Sequence, residues 1–145
     1  MIAADFPYQH SIAVTFRDLD AMGHVNNAVY FTYLETARLH YLTHLLSLPD
    51  IRQIPVIMAN ASCSYKSPLF FGEAVLIGLG ISRMGTKSFI MQYVVETSSG
   101  RVAAIAETVQ VMYDYAAAQT IPIPEWVRQR VQVVQNGWAG VSPFK

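Results

Sequence analysis

The residues best placed to do chemistry stand together in one stretch, Arg17-Asp18-Leu19-Asp20-Ala21-Met22-Gly23-His24-Val25-Asn26-Asn27. It is polar and turn-forming, and it runs into the one long helical pattern of the chain. A helix start exposes backbone N–H groups without partners and carries the positive end of the helix dipole. Such N–H groups can hold a carbonyl oxygen as it becomes negative. A carboxylate beside them can attack the carbonyl carbon or orient a water toward it. Asp20 next to a helix start is thus a minimal acyl-transfer site. Asp and Asn ahead of a helix also act as ordinary caps and turn residues, so spacing leaves both roles open.

Other familiar sites are excluded. The chain has no G-x-S-x-G elbow and no phosphate-binding P-loop. Gly78-Leu79-Gly80-Ile81-Ser82-Arg83 opens like a dinucleotide fingerprint but lacks the third Gly and sits inside a strand pattern. His40 and His44 are four apart on the helix, yet Tyr41 stands where a zinc protease needs Glu, and no third ligand is evident. No metal site and no cofactor are therefore expected. Cys63, the one cysteine, lies mid-strand without a basic neighbour and reads as a small buried residue rather than a nucleophile.

The elements that must position Asp20 follow from periodicity. In His10–Arg17, Ile12, Val14 and Phe16 alternate with smaller or polar residues, which is a half-buried strand. Ala28–Leu46 contains no Pro or Gly, and Leu34, Ala37, Tyr41 and Leu45 share a face, which predicts the helix, capped by Asn26 or Asn27. Glu35 and Arg38, three apart, read as a surface ion pair, with Glu35 alternatively facing a site on a partner chain. Val56–Lys66, Glu73–Arg83, Phe89–Val95 and Val102–Tyr113 complete the strand set, and turns at Gly85 and Ser98-Ser99-Gly100 make the last three a meander. Small residues at Ala74, Gly78, Gly80 and Ser82 leave room on one face of Glu73–Arg83 for close packing. Glu125–Gln135 predicts a short terminal helix. The class is α+β, one antiparallel sheet of about five strands around one long helix, in a single domain over 1–145.

Composition bounds the partners. Of 145 residues, 52% are hydrophobic and only 14% charged, against about 25% charged in an average domain. Ten Lys and Arg balance ten Asp and Glu, so no basic field exists for nucleic acid. No apolar run is long enough for a membrane span and no signal peptide opens the chain, so the cytoplasm is the expected compartment. The apolar excess implies a partner chain, a greasy ligand, or both, and an open sheet edge is expected to pair with a second copy.

Asp18-Leu19-Asp20-Ala21-Met22-Gly23-His24-Val25-Asn26-Asn27-Ala28-Val29-Tyr30-Phe31, then Leu34-Glu35-Thr36-Ala37-Arg38, resembles the opening of hotdog-fold acyl-CoA thioesterases of the 4-hydroxybenzoyl-CoA thioesterase type. The D-x-D-x-x-G-H-V-N-N-x-x-Y order falls at the expected strand-to-helix junction. Tyr65-Lys66-Ser67-Pro68-Leu69 with Gly72-Glu73, Gly85-Thr86-Lys87-Ser88-Phe89, and Ile121-Pro122-Ile123-Pro124 with Trp126-Val127 resemble later turns of that family. The resemblance implies a hotdog fold, hydrolysis of acyl-CoA or aryl-CoA thioesters, and Asp20 as nucleophile or general base. It implies oxyanion donors at the N–H groups around Asn27 and Ala28, a tight turn at Gly23, and supporting places for His24 and Tyr30. For His24, contact with substrate or water and a bond within the loop are both open. Arg83, Lys87 and Ser88 are candidates for the CoA phosphates. Phe31, Leu34, Met58, Phe89 and Met91 are candidates for lining an acyl slot. A homodimer or homotetramer is expected. Alternatives are a carrier-protein thioesterase, a hotdog enoyl-CoA hydratase and a non-catalytic acyl-CoA binder. The hydratase motif resembles D-x-N-P-x-H, whereas here Asp20 and His24 stand one residue closer and the Asn-Pro pair is missing.

Overall fold

In this computed structural model, which describes residues 1–142, alternating apolar residues build five long strands. They are β1 (Tyr8–Ala13), β2 (Val56–Tyr65), β3 (Ala74–Met84), β4 (Ser88–Thr97) and β5 (Val102–Asp114). The sheet order is β1-β3-β4-β5-β2 with every pair antiparallel, and a two-residue β6 (Gln119–Thr120) pairs with β5. Helix α1 (Val29–Leu45) packs against the inner face, and α2 (Glu125–Val134) closes one end. Residues 143–145, the end of the expected domain range, lie outside the described residues. No helix is long and apolar enough to cross a membrane among the described residues.

The sheet's inward residues are those that alternation predicted. Val75, Ile77, Leu79 and Ile81 of β3 and Phe89, Met91, Tyr93 and Val95 of β4 join Leu34, Ala37, Tyr41 and Leu45 of α1 in one buried cluster. Strand β1 ends at Ala13 rather than Arg17, because Phe16–Asp18 folds into a 3-10 turn. That turn is held by the Thr15 N–H donating to Asp18 Oδ2 at 2.9 Å. The cap position of α1 is Ala28 rather than Asn26 or Asn27 and makes no side-chain capping bond; Asn26 instead forms the turn ahead of it, its Oδ1 accepting from the Ala28 N–H at 2.8 Å and its carbonyl from the Val29 N–H at 2.9 Å.

The outer face of the sheet is covered where the small residues of β3 leave room. Ala3, Phe6 and Val94 form a second buried cluster there, with Leu76, Ile105, Trp138 and Val141 packed against it. Gly78 and Gly80 make this possible. A Cβ at Gly78 would sit 2.8 Å from Ala3 Cα, and one at Gly80 would sit 2.6 Å from the Pro7 ring and 2.7 Å from Trp138. Residues 3–7 and Trp138 therefore occupy the close-packing face that the small residues of β3 provide.

Candidate active site

The loop between β1 and α1 is a short closed turn. Leu19 and Val25 pair as a bridge, the Asp20 N–H donates to the His24 carbonyl at 3.1 Å, and the Gly23 N–H donates to the Asp20 carbonyl at 3.1 Å. Gly23 has φ +84, a left-handed value that a side chain disfavours. The Val25 N–H donates to the Leu69 carbonyl at 2.9 Å, which ties this turn to the loop after β2.

Two carboxylates serve this loop differently. Asp18 Oδ2 accepts from the Thr15 N–H and from the Tyr33 hydroxyl at 2.7 Å. Burial opposes its ionisation, but the bonds from Thr15 and Tyr33 and the charge of Arg17 outweigh burial and hold the carboxyl below its ordinary value. Asp20 Oδ1 accepts from the Met22 N–H at 2.9 Å, and Oδ2 accepts no hydrogen bond among the described residues. One oxygen is thus fixed by the backbone and the other is free to act.

Asp20 lines a cavity of about 440 Å³ with His24, Asn27, Tyr30, Tyr65, Lys66 and Ser67. The helix start forms one side. The Ala28 N–H is engaged by Asn26, while the Asn27 N–H has no acceptor among the described residues. The Tyr65 hydroxyl donates to the Asn27 carbonyl at 2.8 Å, fixing that peptide. His24 Nδ1 lies 3.5 Å from the Val25 carbonyl, a long contact within the loop. Tyr30 packs edge-on against Tyr65 with ring centroids 4.9 Å apart, and burial raises its pKa, so its hydroxyl stays protonated at neutral pH. Burial likewise raises the Cys63 thiol, which suits a packed residue rather than a nucleophile.

The far wall, Lys66–Pro68, is held by Arg101. Its guanidinium grips both oxygens of Glu73 at 2.9 and 2.6 Å and donates to Ser67 Oγ at 2.8 Å and to the Pro68 carbonyl. Sequence reading reached Tyr65 to Pro68 only as a family turn and not as cavity wall. Their side of the site comes from β2, which is remote in sequence from Asp20.

The remaining candidates are dispersed within one chain. Strand register puts Tyr65 opposite Ala104 but Ser88 opposite Val111, so Arg83, Lys87 and Ser88 sit at the other end of the sheet from Asp20. Lys87 Nζ donates to Thr120 there. Leu34 of α1 and Phe89 and Met91 of β4 are buried together in the core cluster and are not part of the Asp20 cavity lining. Phe31 and Met58 are exposed on the side where α1 faces β2. Glu35 and Arg38 do pair, at 3.8 Å, but not wholly at the surface: Arg38 is only 7% exposed and also reaches the Tyr93 hydroxyl at 3.4 Å.

The chain matches the model of the thioesterase-like superfamily over residues 14–131. It is 30% identical to a Thermus thermophilus thioesterase solved with coenzyme A and zinc, covering 91% of this chain and 97% of that one at TM-score 0.82. It is 30% identical to the gentisyl-coenzyme A thioesterase BH1999, covering 86% and 99% at TM-score 0.76. It is 26% identical to the long-chain acyl-CoA thioesterase FadM of Escherichia coli over 86% of this chain and 96% of that protein.

Proposed function

We propose that this chain, which belongs to the thioesterase-like superfamily, hydrolyses acyl-CoA thioesters at the Asp20 cavity. The observation that carries the reading is a carboxylate with one oxygen tethered and one free, beside a helix start that offers an unused N–H at Asn27. The thioester carbonyl oxygen sits against that N–H, where the helix dipole favours developing negative charge. Asp20 Oδ2 then attacks the carbonyl carbon, or removes a proton from a water that attacks it. The C–S bond breaks and the thiolate of CoA leaves and takes a proton; where Asp20 has attacked, water then cleaves the mixed anhydride and restores the carboxylate, so in either route water supplies the hydroxyl of the free acid. Lys66 on the cavity wall offers a cation to the CoA side.

The reading includes a second copy of the chain. Among the described residues strand β2 pairs with no strand but β5, so its outer edge is open apart from the Val56 carbonyl, which accepts from the Tyr115 hydroxyl. Antiparallel pairing of two β2 edges about a two-fold axis sets the Tyr65 end of one copy beside the Val56 end of the other. The Lys87–Ser88 end of the second sheet then approaches the site that lacks it within one chain.

Release of free thiol from acyl-CoAs of several lengths and from aryl-CoAs tests the activity. Asp20→Asn keeps an acceptor for the Met22 N–H, so the turn persists while turnover falls by about 10²–10⁴. Wild-type rates in Asp20→Asn would remove Asp20 from the chemistry. A wild type no faster than Asp20→Ala on every thioester would remove the thioesterase reading.

A further inference from the structure

A second cavity, of about 340 Å³, lies farther along α1 where the helix faces the start of β2. Its lining includes Glu35, Arg38, Ile54, Met58 and Gln110. Arg38 and Gln110 are 7% and 2% exposed, so a charge and an amide are held in what is otherwise the helix–sheet core. A buried charge is costly unless it is well paired. Arg38 Nη1 makes one long bond to the Tyr93 hydroxyl at 3.4 Å, and Nη2 stands 3.8 Å from Glu35, whose own side chain is mostly exposed. Gln110 Nε2 donates to Thr108 Oγ1 at 3.1 Å and contacts Met58 Sδ at 3.2 Å, while its Oε1 accepts nothing among the described residues. Every fully buried side-chain nitrogen or oxygen among the described residues has a partner. The spare donors of Arg38 and the Oε1 of Gln110 therefore keep accessible surface, and both residues open onto this cavity.

The two cavities lie along one line. Phe31, Glu35 and Arg38 recur on one face of α1, and β2 runs from Tyr65 at the first cavity to Met58 at the second. Between them the inward register positions of β2 are Ala61 and Cys63, opposite Thr108 and Ala106, so the strand adds little bulk there. Helical side chains lean back toward the N-terminus, which puts the Arg38 head about 10 Å from the helix start. That is close to the reach of an extended acyl chain of about eight carbons.

Resting on the thioesterase reading, we propose that this second cavity is a subsite for a distal hydroxyl on a medium-chain acyl group. A hydroxyl oxygen accepts from Arg38 and its proton goes to Gln110 Oε1, so one group completes both. A carboxylate would meet the Gln110 oxygen and the nearby Glu35, and a plain alkyl end would leave both polar groups unmet.

The test titrates three non-hydrolysable CoA thioethers, octyl, 8-hydroxyoctyl and 7-carboxyheptyl, into the intact protein by calorimetry. The hydroxyl analogue is expected to bind tighter than each of the others by about tenfold or more. Arg38→Met and Gln110→Leu, each checked for folding by its unfolding midpoint, are expected to bring it within about threefold of the octyl compound. Loss of the preference in both folded variants supports the subsite. A wild-type preference below about tenfold, tightest binding of the carboxylate, or a preference that survives either substitution overturns it. If Arg38→Met weakens self-association and leaves the preference intact, the arginine serves a second copy and the proposal fails. Thiol release from 8-hydroxyoctanoyl-CoA is followed in parallel. Selective binding without release would sink catalysis and leave the subsite, and release without selectivity would do the reverse.

Discussion

What a side chain can do in this protein depends on how many of its polar positions the fold has already used. Asp18 spends Oδ2 on Thr15 and Tyr33 and stays a brace, whereas Asp20 keeps Oδ2 free in a cavity. The same reasoning applies to His10, whose ring stacks on His40 with centroids 4.3 Å apart. Burial first, then the charge of His40, lowers the pKa of His10. His44 and Asp50 line the neighbouring cavity with His40. The unfolded chain takes a proton on such a ring near pH 6.5, before the folded chain does. This contribution is absent above about pH 6.5 and costs stability as pH falls through the lowered folded value. His10→Phe is therefore expected to raise the unfolding midpoint, relative to wild type, by a few degrees more at pH 5 than at pH 8. Thermal unfolding at the two pH values checks it, and an equal shift at both would contradict it. Asp20 was legible because its motif is contiguous. The His10–His40 stack and the Arg38–Tyr93 bond were not, because periodicity reports which face a residue occupies and not what lies opposite.

At the scale of elements, alternation and helical spacing located every long strand and both helices to within a few residues. They misplaced the end of β1, where the Asp18 bond to the Thr15 N–H turns the backbone. They also missed how the end of β3 is satisfied. Strand β1 stops pairing at Leu79, and Ile81 beyond it is left without that neighbour. Gln135, just after α2, takes the place of a strand. Its Oε1 accepts from the Ile81 N–H and the Tyr41 hydroxyl, and its Nε2 donates to the Ile81 carbonyl at 2.8 Å. One buried amide thus ties α1, β3 and α2 together. Gln135→Ala leaves an N–H, a carbonyl and a tyrosine hydroxyl unpaired and should cost about 2–4 kcal/mol. The unfolding midpoint should fall by roughly 5–15 °C. A loss below about 1 kcal/mol by denaturant titration would mean that water replaces the amide at no cost.

The whole molecule has two surfaces where its apolar surplus can go, and the structure treats them oppositely. The outer face of the sheet is covered by residues 3–7 and Trp138, which press on Gly78 and Gly80. The β2 edge is uncovered, with Ile57, Met58 and Tyr65 each at least 40% exposed. An uncharged ten-residue edge is the kind of strand that pairs with another copy unless something blocks it. On the proposed reading, pairing there would also bring Lys87 and Ser88, which stand at the far end of their own sheet, toward the Asp20 site of a two-fold mate. Dimerisation and activity should therefore fall together. Ile57→Lys puts a charge on the bare edge without touching the Asp20 loop, and it is expected to weaken the dimer by about tenfold or more. Sedimentation across a concentration series, with thiol release measured on the same samples, reads both quantities. Activity should follow the dimer fraction. A wild type that sediments as one chain at every concentration with undiminished turnover would show that the edge is not an interface and that the site is complete in a single copy.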